Sequence, residues 1–192
     1  MRELSLHVLD LLENSLAAGA SVISVSIDEN TRLNRLQITV ADDGRGMDAE
    51  TAAQAVDPYY TTRTTRHVGL GLPLFKAAAE QCAGDLSLSS ELGLGTTVVA
   101  TFQRDHIDRA PLGDMVSTLM GALLSDREGW DLEYAHRLDD QQFCLDTAEV
   151  REVLGDVSLK HPAVREWLET FLRQGYEELY NSLAARARPS QQ

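Results

Sequence analysis

The stretch that most constrains this chain is Ala41-Asp42-Asp43-Gly44-Arg45-Gly46-Met47. It closes a run, 35–40, in which Leu36, Ile38 and Val40 share one parity, the period of a half-buried strand. Asp42 continues that parity and should point inward, whereas Asp43 should point away. An inward carboxylate is costly unless something hydrogen-bonds it. The two glycines that follow allow positive φ and let the backbone approach another body closely. An inward acid beside bare backbone suits the polar edge of a buried ligand. Taken singly, the same residues also describe an ordinary Asp-Gly turn, so the weight rests on the stretches around them.

The chain has 192 residues, 43% hydrophobic and 24% charged, which fits a globular protein of one or two domains. No apolar run approaches the ~20 residues of a membrane helix, so no membrane partner is expected. Asp10, Glu13 and Asn14 interrupt the apolar residues near the N-terminus, which argues against a signal peptide. Cys82 and Cys144 lack metal-like spacing and are expected to be packing residues in a reducing, cytoplasmic compartment. A formal net charge of −13 disfavours nucleic acid as a partner.

Residues 2–18 read as a buried helix ended by Gly19, with Leu4, Val8, Leu11, Leu12 and Ser15 on its apolar side. Glu3, His7, Asp10 and Asn14 form one polar stripe on it, and Glu13 leaves that stripe. Residues 22–27 alternate as a strand, and 48–54 start a short helix. A helix over 72–82 carries Pro73 in its first turn and ends at Gly84. Strands over 85–90 and 96–102 form a hairpin joined by a five-residue turn, 91–95. Beyond about Ala110 the pattern predicts a helix over 111–124 and a hairpin of 130–138 with 141–145. A short helix capped by Thr147 and a long helix over 162–187 follow, the latter presenting Val164, Trp167, Leu168, Phe171, Leu172, Tyr176, Leu179, Tyr180 and Leu183 on one face.

Between the short helix and Pro73 lies 57–72, dense in hydroxyls, arginine and glycine. Thr61, Thr62 and Arg63 suit phosphate oxygens. Gly69, Leu70 and Gly71 run into a helix N-terminus, where free N–H groups and the helix dipole favour an anion. This is not a Walker loop, since no Gly-Lys-Ser/Thr follows four variable residues. Asp10 and Asn14, one turn apart, can orient a water and hold a hard cation through oxygen.

Together these pieces resemble the GHKL (Bergerat-fold) ATPases: DNA gyrase, the ninety-kilodalton heat-shock chaperones, sensor histidine kinases and MutL. Residues 10–20 resemble the family's N box, in its MutL form. Residues 42–47 resemble the G1 box, 57–63 the histidine-kinase F box and lid, 69–74 the G2 box, and 93–98 the terminal Gly-Thr strand. The resemblance covers residues 2–104. It implies an α/β (α+β) two-layer sandwich of the Bergerat type over 1–110. Residues 111–192 form a mainly helical C-terminal segment containing one β-hairpin, expected to pack onto the first part and to supply strand and helix material that family members carry before the N box.

The resemblance also implies roles for individual residues. Asn14 would bind Mg2+, and Asp42 would accept from the adenine amino group of ATP. Gly44 and Gly46 would let backbone approach the base, with Met47 and Thr96 beside it. Gly69, Leu70 and Gly71 would cradle phosphate, with Thr62 and Arg63 from the lid. Asp10 stands where hydrolysing members have a glutamate base, a departure that implies slow hydrolysis. No His lies in a phosphoacceptor hairpin, so an autonomous sensor kinase is not expected. Two readings remain: a slow ATPase or protein kinase acting on a partner protein, and a non-catalytic ATP-gated switch that binds a partner. The implied partner is a regulatory or hydrogenase-associated protein, and the resemblance leaves room for a homodimer.

Overall fold

The computed structural model describes residues 3–57 and 71–186, with side chains to residue 181. Its frame is a six-stranded sheet in the order β3-β4-β2-β1-β5-β6. β1 (Val22–Asn30) and β2 (Arg35–Asp42) form the central antiparallel hairpin, with Ile23 opposite Asp42 and Glu29 opposite Leu36. β4 (Gly95–Gln103) pairs with β2, and β3 (Asp85–Glu91) with β4, both antiparallel. On the other side β5 (Asp131–Leu138) runs parallel to β1, and β6 (Gln141–Asp146) closes that edge.

Alternation dictates which face is covered. Ile23, Val25, Ile27, Leu36, Ile38, Val40, Val98, Ala100, Phe102, Leu132 and Tyr134 are all buried, and each shares its strand's inward parity. Helices α1 (Leu4–Ala17), α3 (Gly71–Gln81) and α6 (Pro162–Arg186) pack on the sheet, and the short α2 (Ala49–Ala55) lies against β3. α4 (Met115–Leu123) lies between α1 and α6. The opposite face carries Ser24, Asp28, Glu133 and Arg137, tied by Ser24–Glu133 and Arg137–Asp28 contacts. The result is the two-layer α+β sandwich the sequence implies, with β5 and β6 extending the same sheet. One hydrophobic core runs from Leu4 and Val8 through Leu132 to Leu168 and Leu172.

Glu29 extends the inward parity of β1 and is 6% exposed. His136 of β5 faces the same way and is fully buried. Glu29 therefore needs partners, and it has three: Arg104 Nε at 2.8 Å, His136 Nε2 at 3.2 Å, and Tyr180 Oη of α6, which donates at 2.5 Å. Burial alone would raise its pKa. The hydrogen bonds from His136 and Tyr180, with the Arg104 charge, outweigh that and hold it at about 2.

Several local expectations are corrected. The helix expected from Pro111 begins at Met115, because Gly113 turns with φ +84 and Asp114 caps Ser117 N. Leu4 N and Ser5 N instead donate to Pro111 O and Leu112 O. Asp146, not Thr147, caps α5 (Thr147–Leu154), since its carboxylate accepts from Ala148 N. Thr147 is buried and donates to Asp131. After α3 it is Ala83 that turns left-handed, at φ +53, whereas Gly84 is required by space, since a Cβ there would sit 1.8 Å from Thr101 O. The β3–β4 turn is tighter than five residues, as Glu91 already pairs with Gly95. Cys144 is exposed rather than packed, and Trp167 lies half out of the core face.

Candidate functional site

The inward acid expected at the end of β2 is there. Asp42 is half-buried and bridges two elements: Ser15 Oγ of α1 donates to Oδ2 at 2.6 Å, and Gly44 N donates to Oδ1 at 3.0 Å. Both donors are neutral, and among the described residues no cation pairs with it. Each oxygen keeps a free lone pair. Asp43 points away, as its parity predicts, and accepts from Ser21 N and Val22 N, which pins the start of β1.

The chain then crosses between α1 and the β3–β4 turn. Arg45 N donates to Ala18 O and Gly93 N to Arg45 O. Gly46 has φ +64, and a Cβ on it would lie 1.9 Å from Glu91 O. Gly95 has φ +107, and its Cβ would lie 1.8 Å from Asp42 O. Both positions exclude every residue but glycine, by conformation and by space. Gly44 is nearly as tight: a Cβ on it would lie 2.9 Å from both Ala18 Cβ and Asp42 Oδ1.

Thr96 lies opposite Asp42 across the β2–β4 ladder. Its hydroxyl is 2.9 Å from Ser90 Oγ. Ser90 Oγ donates its one proton to Gly95 O at 2.9 Å and accepts from Met47 N at 2.8 Å. A hydroxyl has one proton, so Thr96 must donate to Ser90 and keeps its lone pairs for another group. Ser90 thus ties Met47, Gly95 and Thr96 into one fixed edge beside Asp42.

α1 supplies the second wall. Along the stripe Glu3, His7, Asp10 and Asn14, Glu3 is half-buried, and from His7 onward the stripe grades from interior to solvent. His7 is 3% exposed and stacked on Phe75 of α3, with ring centroids 4.6 Å apart. Burial lowers its pKa to about 4, and its Nδ1 has no partner. Asp10 is half-buried, and Asn14 and Glu13 are exposed. Asp10 reaches the first residue of α3: a Cβ on Gly71 would lie 3.1 Å from Asp10 Oδ2. Desolvation, then the Glu13 charge, raises the Asp10 pKa, the direction that improves a carboxylate as a base.

Asp42, Gly44, Gly46, Met47 and Thr96 therefore converge on one edge, and Asp10 meets Gly71 at the α1–α3 contact. Thr62, Arg63, Gly69 and Leu70 lie outside the described residues. Sequence reasoning passed over Ser15 and Ser90. Ser15 sits among Leu11, Leu12 and Leu16 on a buried helix side, and a hydroxyl there needs an acceptor. Ser90 carried no local signal, because its partners come from two other segments, the loop at Met47 and the start of β4.

A family model described as histidine kinase-, DNA gyrase B-, and HSP90-like ATPase matches residues 2–106. The heme sensor protein HssS of Staphylococcus saprophyticus is 31% identical over 96 residues, 50% of this chain and 21% of that protein. The sensor protein kinase FleS of Pseudomonas aeruginosa is 39% identical over 106 residues, 55% of this chain and 25% of that protein. The chain thus spans a quarter or less of these relatives. The crystal structure of the N-terminal domain of a DNA repair protein shares the fold, with a TM-score of 0.55 at 16% identity, covering 76% of this chain and 53% of that one. The matched residues contain the glycine-lined edge, Asp42 and the α1 wall: this chain belongs to the histidine kinase-, DNA gyrase B- and HSP90-like ATPases, the GHKL superfamily, and carries their ATP-binding domain.

Proposed function

We propose that the chain binds Mg-ATP with the adenine edge against Asp42 and the phosphates toward Asp10, Asn14 and the α3 N-terminus, and that it acts on a partner protein in the cytoplasm. The observation that carries this is the Asp42 carboxylate, inward, half-buried and held by two neutral donors beside backbone where no Cβ fits. An exocyclic amino group is the donor such an oxygen lacks. Gly44 and Gly46 let the ring approach, Met47 covers it, and Thr96 offers lone pairs. Thr62, Arg63, Gly69, Leu70 and Gly71 are assigned to the phosphates. We take 1–110 as the nucleotide-binding unit and 111–192 as a segment packed on it as one unit; the sheet that runs through both supports their forming one body.

Asn14, exposed one turn beyond Asp10, is the side chain that would hold Mg2+. Among the described residues no group of three His, Cys, Asp or Glu could hold a metal ion. That suits Mg2+, which takes one or two protein oxygens and leaves the rest to phosphate and water. Held by Asn14, such an ion would supply charge neutralisation at the phosphates.

In this reading Asp10 takes a proton from the attacking water or acceptor hydroxyl, and hydrolysis is slow. Aspartate is one methylene shorter than glutamate, about 1.5 Å, and misplacing a catalytic group by ~1 Å costs about a hundredfold. The same shortening favours a second reading, an ATP-gated switch without phosphoryl transfer. Calorimetry and single-turnover assays separate them. Asp42→Asn is expected to weaken ATP binding by one to two decades, about 1–3 kcal/mol. Unchanged affinity removes the adenine assignment. Asp10→Asn should abolish turnover while ATP still binds, and Glu13→Gln should leave turnover intact. No turnover in the unmodified chain, with binding intact, selects the switch.

A further inference from the structure

We propose that the trough between the free edge of the sheet, α5 and α6 is a docking site for a partner-protein segment of apolar residues flanked by lysine or arginine. It has a volume of about 530 Å³ and lies on the C-terminal part of the chain, outside the residues assigned to ATP. Leu145, Val150, Leu154, Val164, Trp167 and Phe171 line it. Trp167 stacks on Phe171 one turn later, with ring centroids 5.4 Å apart, yet remains 49% exposed. Val153, at the rim, is 88% exposed. An aromatic pair held in place on a helix and left wet is an anchor waiting for a partner, since tryptophan dominates interface energetics when it is covered.

Two observations choose the occupant. The carboxylates that line the trough are Asp146 and Glu149, and among the described residues no Lys, Arg or His lines it. With a net charge of −13 on each chain, a second copy or an anionic lipid surface would bring like charges together, whereas a cationic segment would be drawn in. Among the described residues β6 is the outer strand, paired with β5 alone. Its open side offers main-chain groups next to the apolar lining, which suits a peptide better than a compact small molecule.

Cys144 supplies a reporter: it lines the trough and is exposed, whereas the chain's other cysteine, Cys82, is buried. The test uses the full chain and three synthetic peptides: one alternating lysine with leucine and phenylalanine, one with glutamate for lysine, and one with serine for the apolar residues. Fluorescence anisotropy of labelled peptide measures affinity, and the rate of Cys144 alkylation by iodoacetamide measures coverage. The basic apolar peptide should bind one to one and slow alkylation. Trp167→Ala should weaken it about tenfold or more. Val153→Ser, at a side chain too exposed to matter for folding, should weaken it in the same direction. Glu149→Lys should weaken it and flatten its salt dependence.

Equal binding of the glutamate peptide, or of the serine peptide, overturns the proposal, as does binding indifferent to Trp167→Ala and Val153→Ser. Mixed phosphatidylcholine–phosphatidylglycerol vesicles that protect Cys144 better than the peptide would replace the partner with a membrane. A concentration-dependent dimer abolished by Trp167→Ala would replace it with a second copy. ATP binding is read separately, so loss of the docking proposal leaves the nucleotide reading standing.

Discussion

Two carboxylates lie on the covered face of the β1–β2 hairpin, one at each end, and their surroundings differ. Asp42 is opposite Ile23 and Glu29 is opposite Leu36, so they stand roughly 20 Å apart along the strands. Glu29 has a guanidinium, an imidazole and a phenol, all from other segments. At 6% exposure it is closed to an outside ligand. Asp42 has one hydroxyl and one backbone N–H, both neutral, and stays half-open. The same residue class at equivalent parity thus does two jobs. A carboxylate that is fully paired fastens α6 and the β4 end to the sheet. One that is partly paired is left to recognise a donor from outside the chain.

The largest expected effect of breaking this comparison is at Glu29. Glu29→Gln leaves Arg104 beside a neutral group in a largely buried setting, which costs about 3 kcal/mol. For a domain of this size the melting temperature should fall by roughly 6–12 °C, while ATP affinity of the folded chain stays unchanged. Asp42→Asn should do the reverse, changing stability by less than about 1 kcal/mol and affinity by decades. Melting curves and calorimetry on both variants decide it; equal stability losses would remove the distinction between the two acids.

Acid should next separate Glu29 from a second buried titratable group, His7. His7 is held neutral, with its pKa lowered by burial to about 4 from 6.5. The unfolded chain therefore takes up a proton that the folded chain refuses, and stability falls as pH drops from 6.5 to about 4. Glu29 is held ionised, at about 2 rather than 4.5. Its contribution is whole above pH 4.5 and is lost between about 4.5 and 2. Each arm amounts to about 3 kcal/mol. Denaturant titrations across pH should show both, with His7→Phe flattening the upper arm and Glu29→Gln the lower. A variant that keeps its arm refutes the assignment of that arm.

How much of this was legible in the residues follows from the range of each signal. The inward direction of Asp42 is a local fact of parity, and the glycines after it are adjacent in sequence, so that half of the site is readable. The same parity marks Glu29, but the alternation over 22–27 ends before it, and an acid two residues past a strand reads as turn. Its partners, Arg104, His136 and Tyr180, come from 75 to 151 positions away. The β1–β5 pairing is equally non-local, so the way residues 111–192 join the sheet has no signature in either strand. Cap positions moved by one residue at Thr147 because Asp and Thr are both good caps, and only the buried position of Thr147 decides between them.

The smallest and sharpest test compares the two neutral hydroxyls that serve these acids. Tyr180→Phe removes one donor to Glu29 and leaves the other two. A hydrogen bond to a charged group contributes about 1.5–3 kcal/mol, and the lower end applies where other donors remain. The variant should therefore lose about 1–2 kcal/mol of stability and no ATP affinity, and the acid arm of the pH profile should move upward, since Glu29 then ionises less readily. Ser15→Ala removes the Oγ donor to Asp42 Oδ2. Water can replace that donor at a half-open carboxylate, so stability should change by less than about 1 kcal/mol. The rotamer of Asp42 is then fixed only by Gly44 N, and ATP affinity should fall several-fold, by about 1 kcal/mol. If Ser15→Ala proves as destabilising as Tyr180→Phe and leaves affinity untouched, the hydroxyl at residue 15 is a core fastening like that at 180, and Asp42 is structural too.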